Sequence, residues 1–160
     1  MEYVKIIQDN NVQNICLDIG LGVHIYEALT RLDPDLPIEA VNFSQKPTEW
    51  RVETDYNAKV ALNARAEMHL DLRDLCENWL VYINGDNYDE IIRQMREISA
   101  KTDAVGSKVR VEPKQEIKKR LGRSPDNLDS LCLAVRAMVT SGLLGNGNNE
   151  GEEMDYAEFF

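Results

Sequence analysis

Three aspartates occupy positions from which carboxylate chemistry can be built. Asp18 closes the compact apolar run Ile15-Cys16-Leu17 and precedes the turn Gly20-Leu21-Gly22. It therefore stands at the carboxyl end of an expected buried strand, where ligands gather in open α/β sheets. Asp126 and Asp129 lie three residues apart just after Ser124-Pro125, at the start of an expected helix, and so project from one face about one turn apart. If that helix packs across the sheet edge near Asp18, three carboxylates meet. Such a group repels itself, and a hard divalent cation with oxygen ligands is the usual remedy. Two such ions about 3.5–4 Å apart activate water and stabilise the leaving oxygen in phosphodiester cleavage. The same residues have a plain structural reading: an Asp at a strand end caps a helix or forms a turn, and an Asp in a first helical turn serves the macrodipole. Spacing alone leaves both open.

Other chemistries find less support. Cys16, Cys76 and Cys132 lie far apart in apolar stretches without a CxxC pair, which reads as buried thiols rather than a zinc site or disulfide frame. His24 and His69 have no ligand-spaced or triad-spaced partners, so neither zinc nor a Ser or Cys nucleophile is expected. No phosphate-cradling GxxxxGK[ST] loop occurs, and Ile25 breaks any dinucleotide fingerprint at Gly20-Leu21-Gly22.

The chain must supply elements that place the acids. Its 160 residues, 43% hydrophobic and 29% charged with 9 Gly and 5 Pro, suit one folded domain and exclude a disordered or collagen-like chain. No apolar run approaches the ~20 residues that cross a bilayer, and the amino terminus lacks a secretory pattern, which reads as a soluble intracellular protein. The formal charge of −10 argues against a general nucleic-acid coat. Yet residues 108–123 carry Lys108, Arg110, Lys114, Lys118, Lys119, Arg120 and Arg123 against Glu112 and Glu116, and residues 150–160 hold Glu150, Glu152, Glu153, Asp155 and Glu158 with no basic residue. A basic segment beside carboxylates with an acidic tail differs from a uniformly acidic domain.

Periodicity predicts a short amphipathic helix over 2–10, a strand over 12–18, a helix over 23–32 and a strand over 38–43. That order is a βαβ unit and predicts a parallel pair. Residues 44–58 read as loop, with Trp50, Arg51, Tyr56 and Lys59 as loop residues able to meet DNA, although packing is the default for Trp50. A long helix follows over 58–78, with Ala61, Ala64, Met68, Leu72, Leu75 and Trp79 on its apolar stripe. Further helices are predicted over 88–99 and 114–121, with a strand over 109–112 between them. Ser124 as N-cap and Pro125 at the first position open the last helix, which runs to Gly142. Residues 1–143 thus form the domain and 144–160 an acidic flexible tail.

The stretch 112–135, EPKQEIKKRLGRSPDNLDSLCLAV, resembles the closing motif of the nuclease domain of viral large terminases, the DNA-packaging motors of tailed phages. In that family a basic run leads into Ser-Pro-Asp-x-x-Asp-Ala/Ser-Leu. Upstream, Leu17-Asp18-Ile19-Gly20-Leu21-Gly22 and Tyr26-Glu27-Ala28-Leu29 resemble its Asp-x-x-Gly-x-Gly segment. Val41-Asn42-Phe43, Tyr56-Asn57 and Asn63-Ala64-Arg65-Ala66-Glu67-Met68 follow in the expected order, so the likeness is collinear over residues 3–140.

The resemblance implies an α/β, ribonuclease-H-like fold with an incomplete mixed sheet flanked by helices. It implies a metal-dependent endonuclease that cuts concatemeric double-stranded DNA with Mg²⁺ or Mn²⁺, two ions in intact members. Asp18 and Asp129 match metal-holding, catalytic acids, and Asp126 matches a neighbouring ligand position that varies in the family. Lys114, Lys118, Arg120 and Arg123 become the DNA-binding side, although a solvated helix face is the plainer reading of such residues.

The family's nuclease fold opens with three antiparallel strands carrying another essential acid, and this chain begins at the helix after them. The expected partners are therefore double-stranded DNA, a chain supplying those strands and the ATPase half, a second copy through the open sheet edge, and a portal protein through the tail; no membrane is expected. The expected location is the cytoplasm of a bacterial host. Two further readings stand beside this one: a non-catalytic prophage remnant serving assembly or DNA binding, and a junction resolvase of similar fold.

Overall fold

The structure, a computed structural model, describes residues 2–48, 60–78, 80–83, 85–102 and 108–142. The predicted loop positions Trp50, Arg51, Tyr56 and Lys59, and the acidic tail, lie outside the described residues.

Helix α1 (Glu2–Asp9) leads to strand β1 (Ile15–Asp18), which is joined by helix α2 (Ile19–Leu32) to strand β2 (Ile38–Val41). The two strands pair in parallel, Ile15 opposite Ile38 and Asp18 opposite Val41, as the βαβ order predicts. Helix α2 starts four residues earlier than its apolar spacing suggests. Asp18 caps it directly, its carboxylate accepting from the Gly20 backbone N–H at 2.9 Å. A Cβ at Gly20 would stand 3.1 Å from Asp18 Oδ1, so the glycine that reads as a turn instead makes room for the capping carboxylate. The helix stops at Asp33-Pro34, where Pro disfavours a helical residue before it.

A second sheet holds strands β3 (Val60–Ala61), β4 (Ala100–Thr102) and β5 (Lys108–Val111), with β5 central, parallel to β3 and antiparallel to β4. The strands therefore fall into two small sheets among the described residues, rather than one incomplete sheet. Two of them escape the sequence pattern. Val60–Ala61 was expected inside the long helix, but Asn63 accepts from the Ala66 N–H at 3.0 Å and starts helix α3 (Ala64–Glu77) after the strand. Strand β4 is exposed along its length and owes its existence to its ladder with β5.

Helix α4 (Tyr88–Glu97) precedes the second sheet's last two strands, and helices α5 (Lys114–Leu121) and α6 (Asp126–Thr140) follow them. Gly122 ends α5 in the left-handed region at φ 75°, as a C-terminal glycine should. The main core is the seam between α3 and α6 against the first sheet: Ala64, Met68 and Leu72 meet Leu128, Cys132 and Val135 over Val41. Ala61, Ala66, Leu70, Val109 and Val111 bury the second sheet against the other side of α3. Helix α3 is thus enclosed on more faces than a single apolar stripe provides, and its polar residues Arg65, Glu67 and Asp71 are buried too.

Buried charges must be paired to be tolerated. Glu67, 1% exposed, receives Arg136 Nη1 at 2.9 Å from α6 and the Thr48 hydroxyl at 2.6 Å. Arg136 Nε donates to Glu39 of β2 at 2.9 Å, and the Thr140 hydroxyl donates to the other Glu39 oxygen at 2.8 Å. One arginine therefore ties α6 to both α3 and the first sheet.

A second clamp joins α4 and α5 to the residue that follows β5. Arg120 on α5 grips Glu112 with both terminal nitrogens and bonds Glu97 on α4, while Glu112 Oε1 accepts from the Ser99 N–H at 2.9 Å. Arg120 holds the Glu112 carboxyl down at about 2, against an ordinary 4.5. A carboxyl lowered on folding stabilises the native state above its unfolded pKa, and that contribution drains away as pH falls toward the folded value. The stability difference between the native protein and Glu112→Gln is therefore expected at full size above pH 4.5 and closing as pH falls toward 2. Urea titrations of both proteins across that range check it; a difference independent of pH would refute the clamp.

Candidate functional site

The first turn of α6 carries the two acids that spacing placed together. Pro125, not Ser124, occupies the capping position and offers no side-chain cap, while the Ser124 hydroxyl hydrogen-bonds Asp126 instead. Asp126 is exposed and Asp129 is buried, 5% exposed overall. Their common partner is Lys114, the first residue of α5, whose Nζ lies 3.1 Å from Asp126 Oδ1 and 2.8 Å from Asp129 Oδ2. Burial lowers the Lys114 pKa, but hydrogen bonds to Asp129 and then Asp126 outweigh it, and the net shift is upward. The Ser124 hydrogen bond first, then Lys114 and Lys118, hold the Asp126 carboxyl below its ordinary value.

Helix α3 supplies the rest of the surroundings. Arg65 and His69, one turn apart, bring Nη2 to 3.6 Å and Nε2 to 3.9 Å of Asp129 Oδ1. Arg65 is anchored by donating from Nη1 to the Glu112 carbonyl at 2.8 Å. Burial first, and the neighbouring Arg65 guanidinium second, push the His69 pKa down to about 4 against the pull of Asp129, so the imidazole is neutral near pH 7. The His69 ring also lines a pocket with Leu72, Met95 and Leu128. Asp129 thus faces two permanent cations and one neutral ring.

Five buried atoms here lack an aligned hydrogen-bond partner: Arg65 Nε and Nη2, His69 Nε2 and Asp129 Oδ1 and Oδ2, the last standing in an ion pair with Lys114. A native interior rarely concentrates such groups without a functional reason. A carboxylate whose inner oxygen meets only long contacts, beside a second and exposed carboxylate, fits coordination of a divalent cation. Lys114 holds the same two carboxylates, so its ammonium stands where a divalent ion shared by them would have to sit. Asp18, by contrast, has its carboxylate in the cap of α2. Among the described residues no group of three or more His, Cys, Asp or Glu side chains is gathered closely enough to hold a metal ion.

The basic residues near the motif divide by partner. Lys118 is exposed beside Asp126. Arg120 belongs to the Glu112 clamp, and Arg123 pairs with Glu90 of α4. Arg65 and His69 were missed as site residues. Their i, i+4 spacing was legible, but nothing local showed that α3 lies against α6. The three thiols are unsuited to nucleophilic chemistry, since burial raises the pKa of Cys16, Cys76 and Cys132.

Among the described residues no helix is long and apolar enough to cross a membrane. No protein-family model matches the chain, and no curated protein does. Solved structures do. The nuclease domain of the large terminase subunit gp2 of bacterial virus Sf6 superposes with a TM-score of 0.63 at 19% identity, over 82% of this chain and 68% of that one. A single-substitution variant of that domain solved with calcium gives 0.64 at 18% identity over 82% and 68%. The variant solved with manganese gives 0.63 at 18% over 82% and 69%. With its parallel βαβ unit, its enclosed α3 and the α6 that carries Asp126 and Asp129, the chain has the ribonuclease-H-like fold of a terminase nuclease domain.

Proposed function

We propose that the chain is a metal-dependent endonuclease module of a viral DNA-packaging machine, acting on concatemeric double-stranded DNA in the cytoplasm of a bacterial host. One observation carries this reading beyond the fold: the buried Asp129 carboxylate in the first turn of α6, met by Lys114, Arg65 and His69 and joined by the exposed Asp126. Asp129 and Asp126 would hold Mg²⁺ or Mn²⁺, with two ions as the full complement; Asp18 would serve as the third acid only by leaving its cap on α2, since the three are not gathered as they stand. Bound there, the metal supplies an activated water and charge neutralisation at the phosphodiester.

The chain's own residues do the remaining work. Arg65 and His69 fix the rotamer of Asp129 from α3, so the carboxylate is pre-positioned rather than searching. Lys114 neutralises both acids in the absence of other cations. Lys118 offers its charge to the DNA backbone, and Arg120 and Arg123 would add to that side only on release from Glu112 and Glu90. Such contacts track phosphates without reading sequence, which suits sequence-tolerant cutting. The chain's overall negative charge confines favourable DNA approach to this side.

A second reading keeps the fold without catalysis: an assembly or DNA-binding module in which Lys114 permanently satisfies Asp126 and Asp129 while Asp18 serves only as a helix cap. Its support is the ion-pair geometry itself. Nicking of supercoiled plasmid in Mn²⁺ separates the two. The nuclease reading expects cutting by the native protein and, in Asp129→Asn, a rate at least about tenfold lower. Equal rates, or none in either protein, would favour the second reading.

Partners follow from the first sheet. Among the described strands β1 pairs with β2 alone, and α1 leaves Tyr3 and Ile6 half exposed. An open strand edge with apolar residues near it in sequence invites strand addition. The proposed occupants are strands donated by a partner in the packaging machinery, or a second copy, with portal docking assigned to the acidic tail. Sedimentation at about tens of micromolar, a range in which moderate interfaces associate, is expected to show self-association or capture of a strand-donating partner. A well-behaved monomer that captures none would sink this part.

A further inference from the structure

Helix α6 begins without a cap of its own. The first N–H groups of any helix lack intrahelical acceptors, and Pro125 provides no side chain to satisfy them. The acceptor arrives from another helix: the Leu128 N–H donates to Gln94 Oε1 of α4 at 2.8 Å. Leu128 lies between Asp126 and Asp129, within the same turn. Gln94 is 2% exposed and is itself oriented, its Nε2 donating to Glu90 Oε1 at 2.7 Å. The other Glu90 oxygen pairs with Arg123, on the loop leading into α6, and lies 3.5 Å from Arg93 Nη1. Arg123, Glu90, Gln94 and the Leu128 N–H thus form one chain of polar contacts that starts and ends beside the acidic turn.

A buried amide is a costly way to cap a helix, because every one of its polar atoms must be satisfied. A Ser, Asp or Asn at the local capping position would do the same with less. What the remote amide adds is a fixed rotation of the first turn of α6 relative to α4. That rotation decides whether Asp129 points inward to Arg65 and His69 while Asp126 stays outward, both within reach of Lys114.

We propose that Gln94 is a positioning residue for the Asp126–Asp129 pair, held in register by Glu90 and Arg123. The proposal rests on the nuclease reading for its consequence in activity, though its geometric content does not. It also gives Arg123 a role in orienting the site, distinct from contact with DNA.

The test uses Gln94→Met, which keeps volume and removes both hydrogen bonds, and Glu90→Gln, a milder change that keeps an oxygen acceptor for Gln94 but removes the charge pairing Glu90 to Arg123, sparing the core should Gln94→Met fail to fold. Val139→Ala, near the opposite end of α6, is the control for simple destabilisation. Gln94→Met is expected to raise the Mn²⁺ concentration for half-maximal plasmid nicking at least about tenfold, with the rate recovering at saturating ion, and Glu90→Gln to shift it in the same direction. An unchanged half-saturation in the folded variants, with a loss of Tm matching the control, would overturn the proposal.

Carboxyl ¹³C shifts of Asp126 and Asp129, read together with hydrogen exchange at the Leu128 amide, keep the two readings apart. If the native protein never nicks DNA, the nuclease reading falls. Gln94 still positions the acids if these signals move in its variant and stay fixed in Val139→Ala, and does not if they stay fixed in both.

Discussion

A charge buried between α3 and α6 has to find its opposite across the seam, and this requirement governs the arrangement of the molecule. Helix α6 contributes one acid and one base to that interface, Asp129 and Arg136, seven residues and therefore two turns apart on one face. Helix α3 answers both from about a single turn: Arg65 and His69 meet Asp129 on one face, and Glu67, between them in sequence, meets Arg136 from another. The apolar residues Met68, Leu72, Leu128, Cys132 and Val135 fill the rest of the seam. Sliding one helix by a turn would carry Asp129 and Arg136 away from these partners and leave uncompensated buried charge, a cost of about 3–5 kcal/mol when a buried pair is broken. The polar rungs fix the register; the apolar layer supplies most of the drive for the helices to meet.

The two rungs differ in how well they are satisfied, and that difference separates structure from site. Arg136 and Glu67 meet at 2.9 Å, and Glu39, Thr48 and Thr140 take up further hydrogen-bonding capacity. The Asp129 rung is looser: its contacts to α3 are 3.6 and 3.9 Å, and its short contact comes from Lys114 on a different helix. A lysine is a compact point charge on a flexible stem, and this one begins a short helix whose other cations face elsewhere. Such an ammonium can yield to a competing cation in a way that the enclosed Arg136 cannot.

The basic segment shows how a charge run can mislead when read only as a surface. Of its residues, Arg120 and Arg123 are committed to Glu112 and Glu90, and Lys114 to Asp126 and Asp129. The run largely neutralises acids that neighbouring elements bring to it, and Lys118 is the member of the site set left facing outward beside Asp126. A protein this acidic overall needs its cations internally, so a local excess of positive charge in sequence does not become an equal excess on the surface.

The parallel βαβ unit, the helices α4, α5 and α6 and the pairing of Asp126 with Asp129 were legible in the chain itself, because each depends on periodicity, capping and spacing within about two turns or one strand. The two short strands were not, since β3 and β4 take their conformation from β5 rather than from their own side chains. Nor were the partners of the site. Arg65 reaches Glu112 across 47 positions, Gln94 reaches Leu128 across 34 and Arg136 reaches Glu39 across 97. Local sequence determined which residues share a helical face. Only the packing of α3, α4 and α5 around the start of α6 decided what stands opposite that face, because desolvation and ion pairing act through space between segments that no sequence window joins.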